Sequence, residues 1–353
     1  MSVEGPQSES ERGNNNAYQQ ILHLTDHKHQ LVTVLWELTY RCNERCTLCY
    51  LNVLSPGAHT PEELTTDRCL GVIDQIADAG AQNLTLRGGE LFLRQDWYEI
   101  ASYAHTKKLH LRLLSNGVLI RPGTAERIAR LHPCSVEISL YSPRAEVHER
   151  ITRTLHSWER SVRALRLLRK HGVRTVLRTP MMRENVYDLE ALEALAHDLG
   201  AEFRYDPIIT PRDNGALDPL SHRPTYDQLV WVMRRRPELR MEVERTPRLD
   251  RPPCAIAATA MVIDPYGNIY PCMDVRRSAG NLSGRSLQEI WERSSIWREL
   301  DRMTLGEQPV CRECELNRLC VRCHGLVQRE DGDLFVPSAF ETPLIPGADG
   351  DAL

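Results

Sequence analysis

Cys42-Asn43-Glu44-Arg45-Cys46-Thr47-Leu48-Cys49-Tyr50 follows directly on a β-rich run over residues 32–38. Three thiols with gaps of three and two residues can converge from one loop on a cuboidal iron-sulfur cluster. A zinc site, like an ordinary electron-transfer cluster, wants a fourth close ligand, and none follows within reach in the sequence. One iron is then left open, and an open coordination position is what lets a metal bind and activate a small molecule.

Outward from this loop the chain alternates two periodicities. Helical spacing runs through residues 61–79, with Leu64, Cys69, Val72, Ile73 and Ile76 on one face and Gly80 as the stop. It returns over 97–107, 123–130, from Pro143, over 158–170 and over 186–199. Strand-like runs fall between, at 83–86, 110–114, 135–140, 173–179 and 201–205. Six β-then-α units in succession predict an α/β fold with a parallel sheet and right-handed crossovers, either doubly wound or a partial barrel. Either form places functional residues at the carboxyl ends of strands. Residues 210–224 have linker composition, Tyr226 to Arg235 reads as a short helix, and Pro265-Tyr266-Gly267-Asn268 between two apolar runs predicts a hairpin.

The bulk composition sets limits. The 353 residues are 41% hydrophobic and 26% charged with net charge -4, an ordinary globular composition without a membrane span. With 44 Lys+Arg against 48 Asp+Glu there is no basic excess for nucleic acid. The length allows two or three domains: a mobile segment 1–30, a core 31–207, a linker with a bridging helix 208–250, a cysteine-rich domain 251–340 and a tail 341–353. No secretory signal opens the chain, so the 11 cysteines are expected reduced, in the cytoplasm, and clustered thiols there point to metal. Cys69 and Cys134 are expected as small buried hydrophobes. His23, His27 and His29 read as a polar lead-in to the first strand, and Arg212 to Arg223 as a solvated loop.

Cys-x3-Cys-x2-Cys, with apolar Leu48 before the last cysteine and a β/α series behind it, resembles the radical S-adenosylmethionine (radical SAM) family. Gly88-Gly89-Glu90 after the second strand is similar to the family element that holds the methionine amino group of SAM, with Leu91 where relatives commonly have proline. Ser115-Asn116-Gly117 and Ser139-Leu140-Tyr141 match further family segments, which assigns Asn116 and Ser139 to SAM contacts. The resemblance implies a partial (β/α)6 barrel, a 4Fe-4S cluster on Cys42, Cys46 and Cys49, and reductive cleavage of SAM to a 5′-deoxyadenosyl radical. That radical takes a hydrogen atom from an unactivated C–H bond and must be shielded from water.

Six more cysteines follow: Cys254, then Cys272 in a Cys-x12-Gly-x4-Cys element, then Cys311-x2-Cys314-x5-Cys320-x2-Cys323. Paired Cys-x2-Cys elements alone suggest zinc, but only five residues separate these pairs. The array resembles the SPASM extension of radical SAM enzymes, which implies one or two auxiliary 4Fe-4S clusters. By the family pattern Cys254, Cys272 and Cys323 hold one, and Cys311, Cys314 and Cys320 another. The last gap is one residue shorter than in the family and the usual final cysteine is absent. A fourth site is thereby left for substrate, for Asp331, Asp333 or Glu341, or for His324.

SPASM-bearing relatives act mostly on peptides and proteins. The resemblance, strengthened by the run from Ser139 to Arg153, implies oxidative cross-linking or other maturation of a ribosomally made peptide, of the broad type of the pyrroloquinoline quinone precursor cyclases. Its partners would be a precursor peptide, an electron donor such as flavodoxin or ferredoxin, and a separate peptide-recognition protein. The last follows because only about 30 residues precede the first strand, short of an independent domain. The alternatives are a dehydrogenase or epimerase acting on a sugar or amino acid, and a zinc-stabilised scaffold without chemistry. No acid, base or radical-relay residue is assigned from the sequence.

Overall fold

Alternate residues along the strands face opposite ways, and the sequence uses this to separate core from lumen. Val34 and Trp36, Leu84 and Leu86, Leu111 and Leu113, and Val136 and Ile138 all join one buried apolar cluster with the helices. Residues of the opposite parity, among them Leu35, Arg87, Glu137 and Arg178, border a cavity on the other side. The computed structural model describes residues 29–206, 208–235, 256–304, 306–308, 312–313 and 323–332.

The strands are β1 Thr33–Glu37, β2 Asn83–Arg87, β3 His110–Ser115, β4 Ser135–Ser139, β5 Thr175–Pro180 and β6 Glu202–Asp206. Each pairs in parallel with the next, in sequential order. A doubly wound sheet reverses its strand order near the middle; this one does not, so right-handed crossovers put all the helices on one face and leave the other as a lumen. The helices are α1 Thr66–Asp78, α2 Trp97–Thr106, α3 Pro122–Arg130, α4 Ala145–Thr152, α5 Ser157–Lys170, α6 Leu189–Leu199 and α7 Tyr226–Arg235. Helix α1 starts later than its apolar spacing predicts because Thr65 caps it, accepting from the Arg68 N–H.

Beyond α7 come a four-residue helix α8 Ile256–Thr259, then β7 Ala260–Ile263, β8 Asn268–Tyr270 and β9 Gly280–Asn281. The expected hairpin is β7–β8, turning at Gly267 with φ +81° while the Asp264 side chain accepts from the N–H groups of Tyr266 and Asn268. The sequence did not reveal where the hairpin goes. β7 pairs in parallel with β1 on the side away from β2, so the nine strands among the described residues form one sheet. Helices α9 Leu287–Arg293 and α10 Ser295–Asp301 follow, also unforeseen, and Leu287 N–H donates to Gln75 of α1. His29 is no polar lead-in: its ring stacks on Trp291 of α9 at 4.2 Å. Helix α11 is His324–Asp331.

Candidate functional site

The cysteine loop is laid across the end of β2 by backbone contacts. Gly89 N–H donates to Thr39 O at 2.7 Å and Glu90 N–H to Arg41 O at 2.8 Å. A Cβ on Gly88 would stand 2.4 Å from Thr39 O, and one on Gly89 2.4 Å from Arg41 O, so only glycine lets the two backbones approach. Within the loop Cys49 N–H donates to Cys46 O, and the N–H groups of Arg45 and Thr47 donate to Thr152 O and Ile151 O at the end of α4. Arg212 spans the outside, donating to the carbonyls of Cys49, Leu51 and Thr47 while paired with Asp218 at 2.7 Å. The stretch expected as a solvated loop is therefore a strut: the Arg212 and Arg223 side chains are only 19% and 8% exposed. Composition marks such a stretch as loop but does not show what its arginines meet.

Cys42, Cys46 and Cys49 border one cavity of about 470 Å³, together with Gly88, Gly89, Asn116 and Ser139. That volume lies in the range of small-molecule sites. Glu90 does not border it. Fully buried, its carboxylate accepts from Ser115 Oγ at 2.8 Å and from the N–H groups of Phe92 and Asn116 at 3.1 and 2.8 Å. Its side chain braces the loop after β3 from behind. Asn116 is held in turn, donating to Asn43 Oδ1 at 3.0 Å and accepting at its carbonyl from Ser161 Oγ.

Burial raises the Cys42, Cys46 and Cys49 thiols, and neighbouring acidic groups add to the rise for Cys42 and Cys46. Three thiolates side by side here need positive charge between them, which an iron-sulfur cluster supplies. Among the described residues no three Cys, His, Asp or Glu side chains converge as a single metal ion requires. Burial also lifts the Glu44 carboxyl to about 8. Behind Cys46, Tyr141 points its hydroxyl at the sulfur, 3.8 Å away, and its N–H donates to His148 Nδ1 at 3.1 Å. Burial pushes His148 down to about 4.

Cys272 and Cys323 border the same cavity as the first three cysteines. Cys254, Cys311, Cys314, Cys320, Asp333 and Glu341 lie outside the described residues, as do His23, His27, the first 28 residues and the tail. Cys69 is buried as expected. Cys134 is exposed, contrary to expectation: it sits in the turn before β4, held by its N–H to Leu111 O.

Spacing gave no sign of how the second cysteine region is fastened to the first. Arg276, four residues past Cys272, places both terminal guanidinium nitrogens on Glu37 at the end of β1, at 3.0 and 2.8 Å. Glu37 is fully buried and also accepts from Tyr50 at 2.6 Å and Tyr40 at 3.0 Å. Burial alone would raise its carboxyl, but Arg276, helped by Arg87 and Tyr50, outweighs this and holds it below the usual range. Arg223 pairs with Glu330 of α11, and Arg329 donates to Pro211 O, so α11 grips the strut that carries Arg212. The pairing of residues 239 apart has no local signature.

Residues 36–196 match the Radical SAM superfamily and residues 254–315 the SPASM iron-sulfur cluster-binding domain. Mycofactocin maturase MftC of Mycobacterium tuberculosis is 31% identical over 287 residues, 76% of this chain and 72% of that protein. AdoMet-dependent heme synthase of Methanosarcina barkeri is 25% identical over 327 residues, covering 85% and 93%. In fold, the chain is similar to Streptococcus suis SuiB bound to S-adenosylmethionine, with a TM-score of 0.69 at 13% identity over 96% of this chain and 84% of that one. A sequential parallel barrel, a three-cysteine loop seated on a Gly-Gly seam and these matches together establish that the chain belongs to the radical SAM superfamily and carries a SPASM domain.

Proposed function

We propose that this chain is a peptide maturase that uses SAM to modify a ribosomally made precursor peptide oxidatively. The observation that carries the reading is the single cavity faced by cysteines of both regions, in a chain similar to a maturase over most of its length. A structure of SuiB with the precursor peptide SuiA shares the fold, at a TM-score of 0.67.

In this reading Cys42, Cys46 and Cys49 hold the open 4Fe-4S cluster. Cys272 and Cys323 with Cys254 hold one auxiliary cluster, and Cys311, Cys314 and Cys320 serve a second. When bound, the open cluster supplies the electron that cleaves SAM, and an auxiliary cluster supplies an exit for the electron that substrate oxidation releases. The protein's own task is placement. The Gly88-Gly89 backbone and Ser139 face SAM, and Asn116, which also borders the cavity, is fixed by Glu90 and Ser161. The apolar wall, Leu35, Leu114 and Val262 among it, keeps water from the reacting carbon. The domain limits follow the same division, with a core over 31–207, a linker over 208–250 and an auxiliary domain over 251–340. A separate recognition protein presents the peptide, a flavodoxin or ferredoxin delivers the electron, and the reaction runs in the cytoplasm. Among the described residues no helix is long and apolar enough to cross a membrane.

The heme synthase likeness, which spans 93% of that protein, favours a second reading with a small-molecule substrate. Anaerobic co-expression with short peptides encoded beside the gene, followed by mass spectrometry, separates the two. A mass loss in a peptide, together with 5′-deoxyadenosine, is the expected result. Unchanged peptides with SAM turned over on a small molecule would favour the second, and a colourless zinc-loaded protein would overturn both.

A further inference from the structure

Arg87 ends β2 at the cavity, and among the described residues it is the bordering arginine without an ion-pair partner. Its one hydrogen bond there runs from Nη1 to the thioether sulfur of Met273 at 2.9 Å. Nε is buried and has no acceptor, and Nη2 makes no hydrogen bond. The guanidinium lies 5.1 Å from the centre of the Tyr50 ring, whose hydroxyl is fixed on Glu37. A thioether is a weak, uncharged acceptor and a ring face attracts a cation only modestly, so these contacts orient the charge without neutralising it. The carboxylates near enough to feel it already face other guanidiniums, Glu37 that of Arg276 at 2.8 Å and Asp274 that of Arg329 at 3.7 Å. Arg178, the other arginine bordering the cavity, is held by Glu137 and Asp206. A half-buried cation without a counter-charge is costly, so one in a cavity wall points to an anion that arrives with a ligand.

The vacant edge decides the class of anion. Nε–H and the Nη2–H beside it form the fork with which arginine takes both oxygens of a planar carboxylate. A ribosomally made peptide offers that group on Asp, on Glu and at its C-terminus. Met273 directly follows Cys272, so the fork stands where the barrel meets the auxiliary region, and the ring of Tyr50 and the sulfur hold it ready. We propose that Arg87 binds a carboxylate of the substrate and thereby selects which part of it enters the cavity. The inference rests on the reading above in taking this cavity as the substrate's place, and it holds for a peptide or for a smaller acid.

The test follows modification of Arg87 by phenylglyoxal, by mass spectrometry of proteolytic fragments, in the full-length, anaerobically reconstituted protein with SAM present. The probes are two matched pairs: N-acetylalanine and its amide for a C-terminus, and the α-amides of N-acetylaspartate and N-acetylasparagine for a side chain. At millimolar concentration an acid should slow the modification about threefold or more while its amide does nothing. Protection by one acid alone names the source of the carboxylate. Equal protection by acid and amide, no protection by either acid, or an Arg87 that the reagent never reaches overturns the proposal. Arg87→Met should raise KM for a processed peptide about tenfold or more with a smaller fall in kcat. Amidation of that peptide's carboxylate should cause the same loss in wild type and none further in the variant. Losses that add overturn the proposal, as does a tenfold fall in SAM affinity by equilibrium dialysis, which would give Arg87 to the co-substrate. If Arg87→Met does not fold, the protection experiment on wild type decides alone. Acid-specific protection in a protein that processes no peptide would bring down the maturase reading and leave this one standing; peptide processing without protection would do the reverse.

Discussion

The two cysteine regions are secured by different kinds of force. The first loop is fixed by backbone: N–H groups of Gly89 and Glu90 on carbonyls of Thr39 and Arg41, with glycines where a Cβ would collide. The second is fastened to it by buried guanidiniums, Arg276 on Glu37 and Arg223 on Glu330. Backbone seams are stiff and sequence-local, which suits a loop proposed to present three sulfurs to one cluster. Side-chain ion pairs join distant segments and depend on complete pairing, since a buried charge left alone is destabilising. The difference suggests that SAM cleavage belongs to the first region alone and product formation to the junction.

The largest test of that division is the cysteines themselves. Replacing Cys42, Cys46 or Cys49 with Ala should reduce 5′-deoxyadenosine, measured by chromatography, to background. Replacing Cys272 or Cys323 should leave it within a few fold and remove the mass-shifted peptide. Identical behaviour in both sets would break the comparison. Next in size, Arg276→Met leaves Glu37 buried without its cation and should cost about 3–5 kcal/mol in denaturant unfolding. The sign with pH follows from the lowered Glu37 carboxyl: its contribution is complete above the ordinary value of 4.5 and disappears as pH falls through the lower folded value. The stabilities of wild type and variant should therefore converge on acidification, and a gap that persists in strong acid would exclude the pair as the fastening.

Gly89→Ala probes the seam instead. Its Cβ at 2.4 Å from Arg41 O forces the loop to move, with about 1–3 kcal/mol of overpacking strain and a loss of SAM affinity readable by dialysis. Unaltered affinity would mean the loop yields more than the seam implies. The smallest effect concerns the support behind Cys46. His148, held near 4 against an ordinary 6.5, stays neutral in the fold while the unfolded chain takes up its proton. Its stability contribution is whole above 6.5 and declines as pH falls toward 4, by about 2 kcal/mol at pH 5. Urea unfolding of His148→Gln at pH 7 and pH 5 should show a shallower decline than wild type.

Legibility in the sequence followed the same divide. The strands from β1 to β6, the cysteine loop and the Gly-Gly pair were readable because alternation, spacing and turn chemistry are local properties of a few residues. The hairpin turn at Pro265-Tyr266-Gly267-Asn268 was readable for the same reason. Glu37 gave no sign of its role, since its partner Arg276 is 239 residues away and either residue alone is an unremarkable charge. Arg212 was misread because loop composition reports solvent preference on average and carries nothing about the carbonyls of Thr47, Cys49 and Leu51 that it meets. Cys134 was misread by the same averaging: thiols are usually buried, but this one stands in an outward turn.

The pairing of β7 with β1 bears on how the protein can be handled. A fragment ending at Arg235 would contain all six β/α units yet leave β1 an edge strand, with a row of bare N–H and C=O groups between apolar side chains. Such an edge is a template for intermolecular pairing, so the truncated barrel is an aggregation hazard rather than a minimal enzyme. The carboxyl-terminal part thus acts as an intramolecular guard on the amino-terminal one.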